Sequence, residues 1–186
     1  MLSSLIQKLL FVNQFNLING KIKILGKDYI LIDPYTFLLL QDIDKSTTYK
    51  VAKKGSEEGI KEIVNHAEIY KNIKNQSLKE IALLSQKVGK TDEGTIQTLQ
   101  KLFEIYGLGK LIITNLNNDD KTAILKIENS TMAKANLEKT KSKEPVCVLC
   151  AAVLAGIFSY IFKKDVDCIE TKCLAQGNNF CEFKII

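Results

Sequence analysis

The sequence is poor in histidine, since only His66 occurs among its 186 residues. This residue lies in a polar, helical stretch with no visible catalytic partner, so the pattern supports no triad of nucleophile, histidine and acid. The closest glycine pair, Gly107 and Gly109, lacks the third glycine and the preceding strand of a dinucleotide-binding fingerprint, and it is typical of the end of a helix. The sequence therefore argues against a self-contained enzyme.

The chain also lacks a strong excess of either charge. Its 26 basic residues are nearly balanced by 21 acidic residues, which gives a formal net charge of +5. Charges of both signs are mixed throughout, apart from a short basic run at residues 139–143, and this pattern is weak evidence for a nucleic-acid partner. Residues 1–10 form an amphipathic stretch rather than a secretory leader, and we expect a cytoplasmic protein.

Long apolar runs are limited to one segment. Residues 146–162 are apolar or weakly polar without interruption, and Lys143, Glu144, Lys163 and Lys164 flank them. A helix of this length rises about 25 Å, which is short of the roughly 30 Å hydrocarbon core of a bilayer. A helix that is apolar on all sides is otherwise a buried core helix. We therefore predict a central helix in a folded protein and no membrane partner.

Cysteine, by contrast, is concentrated near the C-terminus. Cys173 and Cys181 stand on either side of a turn around Gly177, between two apolar-rich segments, 166–175 and 180–186, that have the composition of a β-hairpin. Directly opposed residues of a hairpin have Cβ atoms about 4.5–5.5 Å apart. Two thiolates on one tetrahedral zinc ion need sulfur atoms roughly 3.8 Å apart. The hairpin can therefore supply half of a zinc site.

A structural zinc ion has four ligands, so two more are needed. Glu170 lies three residues before Cys173, and in a regular strand the two point to opposite faces, so joint binding requires a bulge or bend between them. Cys147 and Cys150 form a C-x2-C pair just after Pro145. Both would lie in the first turn of the central helix, near its positive end, which favours thiolate.

Other interpretations of the cysteines compete with a metal site. Free cysteines are often buried and merely fill space. A disulfide between Cys173 and Cys181 is geometrically possible, but a reducing cytoplasm disfavours it. A redox C-x2-C pair would need a preceding strand, and residues 134–143 are polar and charged instead. Within the metal interpretation, the residues alone leave open an all-cysteine set of ligands: Cys147, Cys150, Cys173 and Cys181.

The order Glu170-x2-Cys173, then Gly177, Cys181 and Phe183 before a terminal strand, resembles the closing signature of 4-vinyl reductase-like domains, which are small-molecule-binding modules. The motif region extends over about residues 120–186. The resemblance implies a hydrophobic or aromatic ligand and a zinc cofactor. The ligands in zinc-binding members of the family correspond to these positions: Cys147, Glu170, Cys173 and Cys181.

The rest of the sequence predicts an α+β fold with an antiparallel sheet built from hairpins, a helical layer and one central apolar helix. No internal repeat or long linker divides the chain, so we expect a single domain over residues 1–186. Besides the central helix, we predict helices over residues 1–15, 34–42, 47–70 (interrupted or bent near two glycines), 77–88 and 91–106. Hairpins are predicted at residues 21–32, 111–127 and 166–186.

These patterns predict a small-molecule-binding domain with a structural zinc site, in the role of a sensor or carrier. The amphipathic segment at residues 1–10 favours a homodimer, although it can equally cover its own core. One alternative is a DNA-binding transcriptional regulator, because residues 77–127 have the order of elements of a winged helix. The acidic residues of this segment, among them Asp92 and Asp119, are negatively charged and would repel the phosphates of DNA. The other alternative is a non-catalytic subunit of a vinyl reductase.

Overall fold

The computed structural model describes residues 15–16, 21–24, 27–70 and 92–186. Its helices are α1 (Pro34–Ile43), α2 (Lys45–Tyr70), α3 (Asp92–Ile105), α4 (Thr131–Leu137) and α5 (Val148–Phe162). Its strands are β1 (Phe15–Asn16), β2 (Lys21–Ile24), β3 (Lys27–Tyr29), β4 (Lys110–Asn117), β5 (Thr122–Glu128), β6 (Cys168–Lys172) and β7 (Cys181–Ile185). The helices predicted over residues 1–15 and 77–88 lie outside the described residues, apart from Phe15 in β1.

The first three strands form a small antiparallel sheet. The predicted hairpin is present in β2 and β3, with Ile24 opposite Lys27 and Ile22 opposite Tyr29. The sequence predicts a turn at residues 26–28 and a second strand at residues 29–32, and these bounds are wrong, because β3 already begins at Lys27 and ends at Tyr29. The residues that follow are irregular, and the side chain of Ile30 is 85% exposed.

A four-stranded antiparallel sheet has the strand order β4-β5-β7-β6. The two predicted hairpins, β4–β5 and β6–β7, are thus joined through the pairing of β5 with β7. Side chains of the inner strands alternate between buried and more exposed positions, as expected when only one face of a sheet is covered. The buried face of these two strands consists of Ala123, Leu125, Ile127, Cys181, Phe183 and Ile185. The prediction of an α+β fold is confirmed.

Helix α5 is the central helix. It packs against α2 and against the β6 and β7 side of the sheet, and its side chains from Cys150 to Phe162 are largely buried. Gly156 lies at the crossing with α2, where a Cβ atom would come within 2.1 Å of the Lys53 carbonyl oxygen. Among the helices in the described part of the chain, none combines the length and the hydropathy that crossing a bilayer requires.

Local sequence signals set the start of the first helix. Helix α1 begins at Pro34, as predicted, because Asp33 Oδ1 accepts hydrogen bonds from the backbone N–H groups of Tyr35 and Thr36 and proline suits the first turn. Helix α2 runs through Gly55 and Gly59 without the predicted interruption. Because α2 is continuous, it can pack along α5 over a long stretch of the core.

Candidate metal centre

Three cysteines and one glutamate meet in one cluster at the C-terminal end of the fold. One ligand atom from each of Cys147, Glu170, Cys173 and Cys181 lies within 4.8 Å of the others. Cys147 immediately precedes α5, Glu170 lies in β6, Cys173 follows β6, and Cys181 begins β7. The Sγ atom of Cys181 is 3.7 Å from that of Cys147 and 3.9 Å from that of Cys173. The cluster therefore joins the closing hairpin to the central helix.

A bulge in β6 brings Glu170 to the side of the hairpin that bears Cys173. Glu170 is opposite Phe183 and Lys172 is opposite Glu182. The step between these two pairs covers two residues on β6 but only one on β7, so β6 contains one extra residue here. A bulge changes which face the following side chains point to. The sequence required such a bulge if Glu170 and Cys173 were to act together, and the structure contains it.

The turn between β6 and β7 places the two hairpin cysteines side by side. A single 3-10 turn, Leu174–Gln176, ends at Gly177, whose φ of 98° lies in the left-handed region that favours glycine. The backbone N–H of Leu174 points at Cys181 Sγ, at a distance of 3.3 Å. The side-chain amide of Asn178 donates to the carbonyl oxygen of Cys173 at 2.9 Å. These contacts fix the position of both sulfur atoms.

The donor set fits a metal ion. Sulfur atoms bound to one tetrahedral zinc ion lie roughly 3.8 Å apart, and the Sγ atom of Cys181 lies 3.7 Å from that of Cys147 and 3.9 Å from that of Cys173. Thiolate ligands select thiophilic ions rather than calcium or magnesium. The four side chains therefore have the composition and the proximity of a site for a thiophilic metal ion.

The charge state of the cysteines also favours a cation. Cys147, Cys173 and Cys181 are fully buried. Hydrogen bonds from Cys147 and Cys181 hold the pKa of Cys173 well below its usual range, whereas hydrogen bonds with the neighbouring cysteines, together with burial, raise the pKa of Cys147. The neighbouring thiols thus favour a thiolate at Cys173 and oppose a thiolate at Cys147. A second and third thiolate in the same place need a positive charge beside them.

The Glu170 carboxylate is held at one oxygen and open at the other. Its Oε2 accepts a hydrogen bond from the backbone N–H of Cys147 at 2.9 Å, while its Oε1 is buried and has no hydrogen-bond partner among the described residues. Burial raises the pKa of Glu170 to about 8, and the nearby Cys173 acts in the same direction. A buried carboxylate oxygen without a donor is unfavourable unless a cation pairs with it, so Oε1 has the properties of a metal ligand.

Ser130, which the sequence did not indicate, completes the surroundings of Cys147. The Ser130 side chain is fully buried and its Oγ lies 3.5 Å from Cys147 Sγ. The same oxygen caps α4 by accepting a hydrogen bond from the backbone N–H of Ala133. A hydroxyl beside a metal-binding thiolate supports its negative charge.

The two remaining cysteines lie outside this group of four. Cys150 is buried in the first turn of α5, and its proximity contributes to the raised pKa of Cys147. Cys168 begins β6, and burial raises the pKa of its thiol. All five cysteines are free thiols. The geometry thus groups Glu170 rather than Cys150 with the other three side chains.

Two other features singled out in the sequence are only partly described. His66 lies in α2, and its side chain is outside the described residues. Of the winged-helix candidate, α3 and the β4–β5 hairpin are described and residues 77–91 are not. Strand β5 of the would-be wing is an inner strand of the main sheet.

The fold and the cluster together define an α+β domain in which a closing hairpin and a central helix bring together side chains that can bind a metal ion. Residues 124–186 match the family model of the 4-vinyl reductase domain. The resemblance to 4-vinyl reductase-like domains is confirmed for this part of the chain.

The chain is also similar to individual proteins. The uncharacterized protein MJ0745 of Methanocaldococcus jannaschii is 34% identical over 87 residues, which cover 47% of this chain and 44% of that protein. The chain thus spans less than half the length of this relative. The phenol-responsive sensory domain of the transcription activator PoxR, solved with phenol, has a TM-score of 0.61 at 17% identity, over 98% of this chain and 90% of that one. A vinyl-4-reductase family protein from the same archaeon has a TM-score of 0.49 at 17% identity, over 100% and 96% of the two chains.

Proposed function

We propose that this chain is a small-molecule-binding domain for a hydrophobic or aromatic ligand, and that a structural zinc ion bound by Cys147, Glu170, Cys173 and Cys181 stabilises it. The observation that carries the proposal is the buried cluster of three thiols and one carboxylate with the spacing of a tetrahedral site. A role as sensor or carrier is supported by the likeness of fold to a phenol-responsive sensory domain over nearly the whole chain.

Zinc is the metal that this donor set suits best. Three thiolates and one carboxylate match the tetrahedral, sulfur-rich coordination of structural zinc, and four protein ligands leave no open position for a substrate. Such an ion stabilises a fold because the unfolded chain has no preformed site, so binding free energy contributes to folding free energy. Here it would hold the β6–β7 hairpin against the start of α5.

Elemental analysis of the purified full chain tests the metal. We expect about one zinc ion per chain in the wild type and its loss in Cys173→Ser and Cys147→Ser. Cys168→Ser is the matched control, because Cys168 is also buried in the same hairpin but lies outside the cluster. It should retain the metal.

The outcome of each variant decides a different point. Zinc retained in Cys173→Ser would overturn the proposed site. Zinc retained in Cys147→Ser but lost in Cys173→Ser would move that ligand to Cys150 or to water. Zinc retained in Glu170→Gln but lost in both Cys147→Ser and Cys150→Ser would instead support the all-cysteine set.

Ligand binding needs a separate experiment on the metal-loaded chain. We expect phenol or a related hydrophobic aromatic compound to raise the unfolding temperature in a concentration-dependent manner, because a ligand that binds only the folded state stabilises it. Isothermal titration calorimetry then gives the affinity. A chemically varied panel of aromatic and aliphatic compounds that produces no shift would overturn the ligand-binding role and leave the zinc assignment standing.

Three further parts of the proposal concern the whole chain. We propose a single domain over residues 1–186, which predicts one cooperative unfolding transition. We propose a homodimer, supported by the amphipathic pattern of residues 1–10, and light scattering on a sizing column tests it. We propose a cytoplasmic location, which cell fractionation tests.

A mobility-shift assay at low salt checks the DNA-binding alternative, and co-purification with reductase components checks the subunit alternative.

A further inference from the structure

One peptide group next to the cluster is hydrogen-bonded at both of its ends. The carbonyl oxygen of Val146 accepts a hydrogen bond from Gln41 Nε2 at 2.7 Å. The N–H of the same peptide group belongs to Cys147 and donates to Glu170 Oε2 at 2.9 Å. A continuous chain of hydrogen bonds therefore leads from a side chain of α1, through one peptide plane, to a proposed metal ligand.

The stability of α1 does not by itself account for a glutamine at this position. Gln41 is 2% exposed, and its Oε1 has no hydrogen-bond partner among the described residues. A buried amide with an unused acceptor is unfavourable compared with an apolar side chain of the same size. The other buried residue of α1 is the apolar Leu38. An apolar side chain is therefore sufficient for packing this helix against the core.

We propose that Gln41 is a positioning residue of the metal centre and acts through the Val146–Cys147 peptide group. By holding the carbonyl end of this group, Gln41 orients the N–H toward the Glu170 carboxylate. A hydrogen bond to a peptide carbonyl also polarises the group and strengthens its N–H as a donor. With Oε2 held in this way, Oε1 is the oxygen left to face the metal.

The same peptide group leads directly to Cys147, so Gln41 affects two proposed ligands at once. Ligand orientation by outer hydrogen bonds is a general feature of metal sites. Helix α1 lies outside residues 124–186, the part of the chain that matches the family model. The inference rests on the proposed metal site. It adds to that site a contact from the N-terminal half of the chain, which positions two of the proposed ligands.

The variant Gln41→Met tests this inference in the full chain. Methionine keeps the length and the burial but removes the donor. We expect metal affinity, measured by competition with a chelator, to fall by up to about tenfold, which is the lower end of the loss when a direct outer partner of a ligand is removed, because Gln41 acts one hydrogen bond further out. In protein loaded with cobalt(II), we expect the visible absorption bands to shift, because the Glu170 and Cys147 ligands change orientation.

A structural role alone would give a different result. The metal-free Gln41→Met protein should be about as stable as metal-free wild type, since the lost hydrogen bond is offset by the removal of an unpartnered acceptor. The control Leu38→Ala removes buried apolar atoms from the same side of α1 and should lower stability while leaving the cobalt spectrum unchanged. Equal spectra and affinities for Gln41→Met and wild type would overturn the inference.

A measurement on the wild type covers the case in which Gln41→Met does not fold. If Gln41 strengthens metal binding, metal binding must strengthen the Gln41 contact by the same factor. Hydrogen exchange of the Gln41 side-chain amide, followed by NMR, should then be slowed by zinc more than exchange of the backbone amides of α1 is, and equal slowing would overturn the inference. If the wild type binds no metal, the proposed function fails first; if it binds metal through Cys173 and only these Gln41 tests fail, the inference alone is wrong.

Discussion

A methyl group added at Gly156, in the middle of α5, would collide with α2. Its Cβ atom would lie 2.1 Å from the carbonyl oxygen of Lys53, 2.1 Å from Ser56 Oγ and 2.9 Å from the backbone nitrogen of Glu57. Real Cβ atoms essentially never approach other heavy atoms within 3.0 Å. The serine hydroxyl can rotate away, but the Lys53 carbonyl belongs to the helix backbone, so α2 would have to move by about 1 Å in a core that is close-packed.

The size of the effect follows from two opposing terms. Overpacking a core typically costs about 1–3 kcal/mol, and more where the backbone must shift. Alanine in place of glycine inside a helix contributes about 1 kcal/mol in the favourable direction. Because the obstacle at Gly156 is backbone, we expect the upper part of the overpacking range and a net loss of about 2 kcal/mol for Gly156→Ala.

Urea denaturation of the metal-loaded protein measures this loss. The matched control is Gly55→Ala in α2, because a Cβ atom there meets no heavy atom within 4 Å. The control should be stabilised by up to about 1 kcal/mol through helix propensity alone. If Gly156→Ala is as stable as Gly55→Ala, α2 does not cross α5 at this point, and the packing described for the central helix is wrong.

Three further predictions concern the metal centre and its support. Ser130→Ala should weaken metal binding about tenfold, because the hydroxyl lies 3.5 Å from Cys147 Sγ; chelator competition measures this, and an unchanged affinity would mean that the hydroxyl does not support Cys147. In the metal-free state, the stability of the wild type relative to that of Glu170→Gln should fall as the pH rises from about 4.5 to 8. The reason is that burial raises the folded-state pKa of Glu170 to about 8, above its unfolded value of about 4.3, so a proton that stabilises the folded state is lost over this interval. Urea midpoints of both metal-free proteins at several pH values measure this difference, and equal pH dependence in the two would contradict the assignment to Glu170. Tyr49→Phe should lower stability by about 1–2 kcal/mol, because the Tyr49 hydroxyl accepts a hydrogen bond from the backbone N–H of Cys168 at 2.9 Å; an unchanged urea midpoint would mean that this contact does not hold β6 to α2.

The hairpin part of the site could be predicted from the sequence because it depends on local geometry. Cys173 and Cys181 are brought together by a short turn around Gly177, and the spacing of the residues is enough to infer that they meet. The position of Glu170 is different, because it depends on a bulge whose location is set by the pairing of β6 with β7. The residues showed that a bulge was needed, and only the family resemblance favoured it.

The surroundings of the cluster could not be predicted because they involve contacts between distant parts of the chain. Ser130 lies 17 residues before Cys147, and Gln41 lies 105 residues before Val146. A serine at the start of a helix usually indicates only a cap, and a glutamine in a helix usually indicates a solvated surface. Their proximity to the site follows from how α1, α4 and α5 pack, which no local pattern contains.

The same distinction applies to the fold. Hydrophobic periodicity and turn residues predicted α1, α2, α3 and the β4–β5 hairpin, with ends that differ from the structure by a few residues. The strand order β4-β5-β7-β6 was not predicted, because the pairing of β5 with β7 joins segments that are far apart in the sequence.

The four proposed ligands are anchored unequally. Cys147 and Cys181 sit on a buried helix start and an inner strand, whereas Glu170 and Cys173 belong to β6, the edge strand, and to the turn that follows it. Edge strands open at lower free energy than the interior of a sheet. Exchange of the ion with the surrounding solution would then require only that β6 separate from β7. The sulfur atoms of Cys147 and Cys181 would stay in place and could bind the ion again.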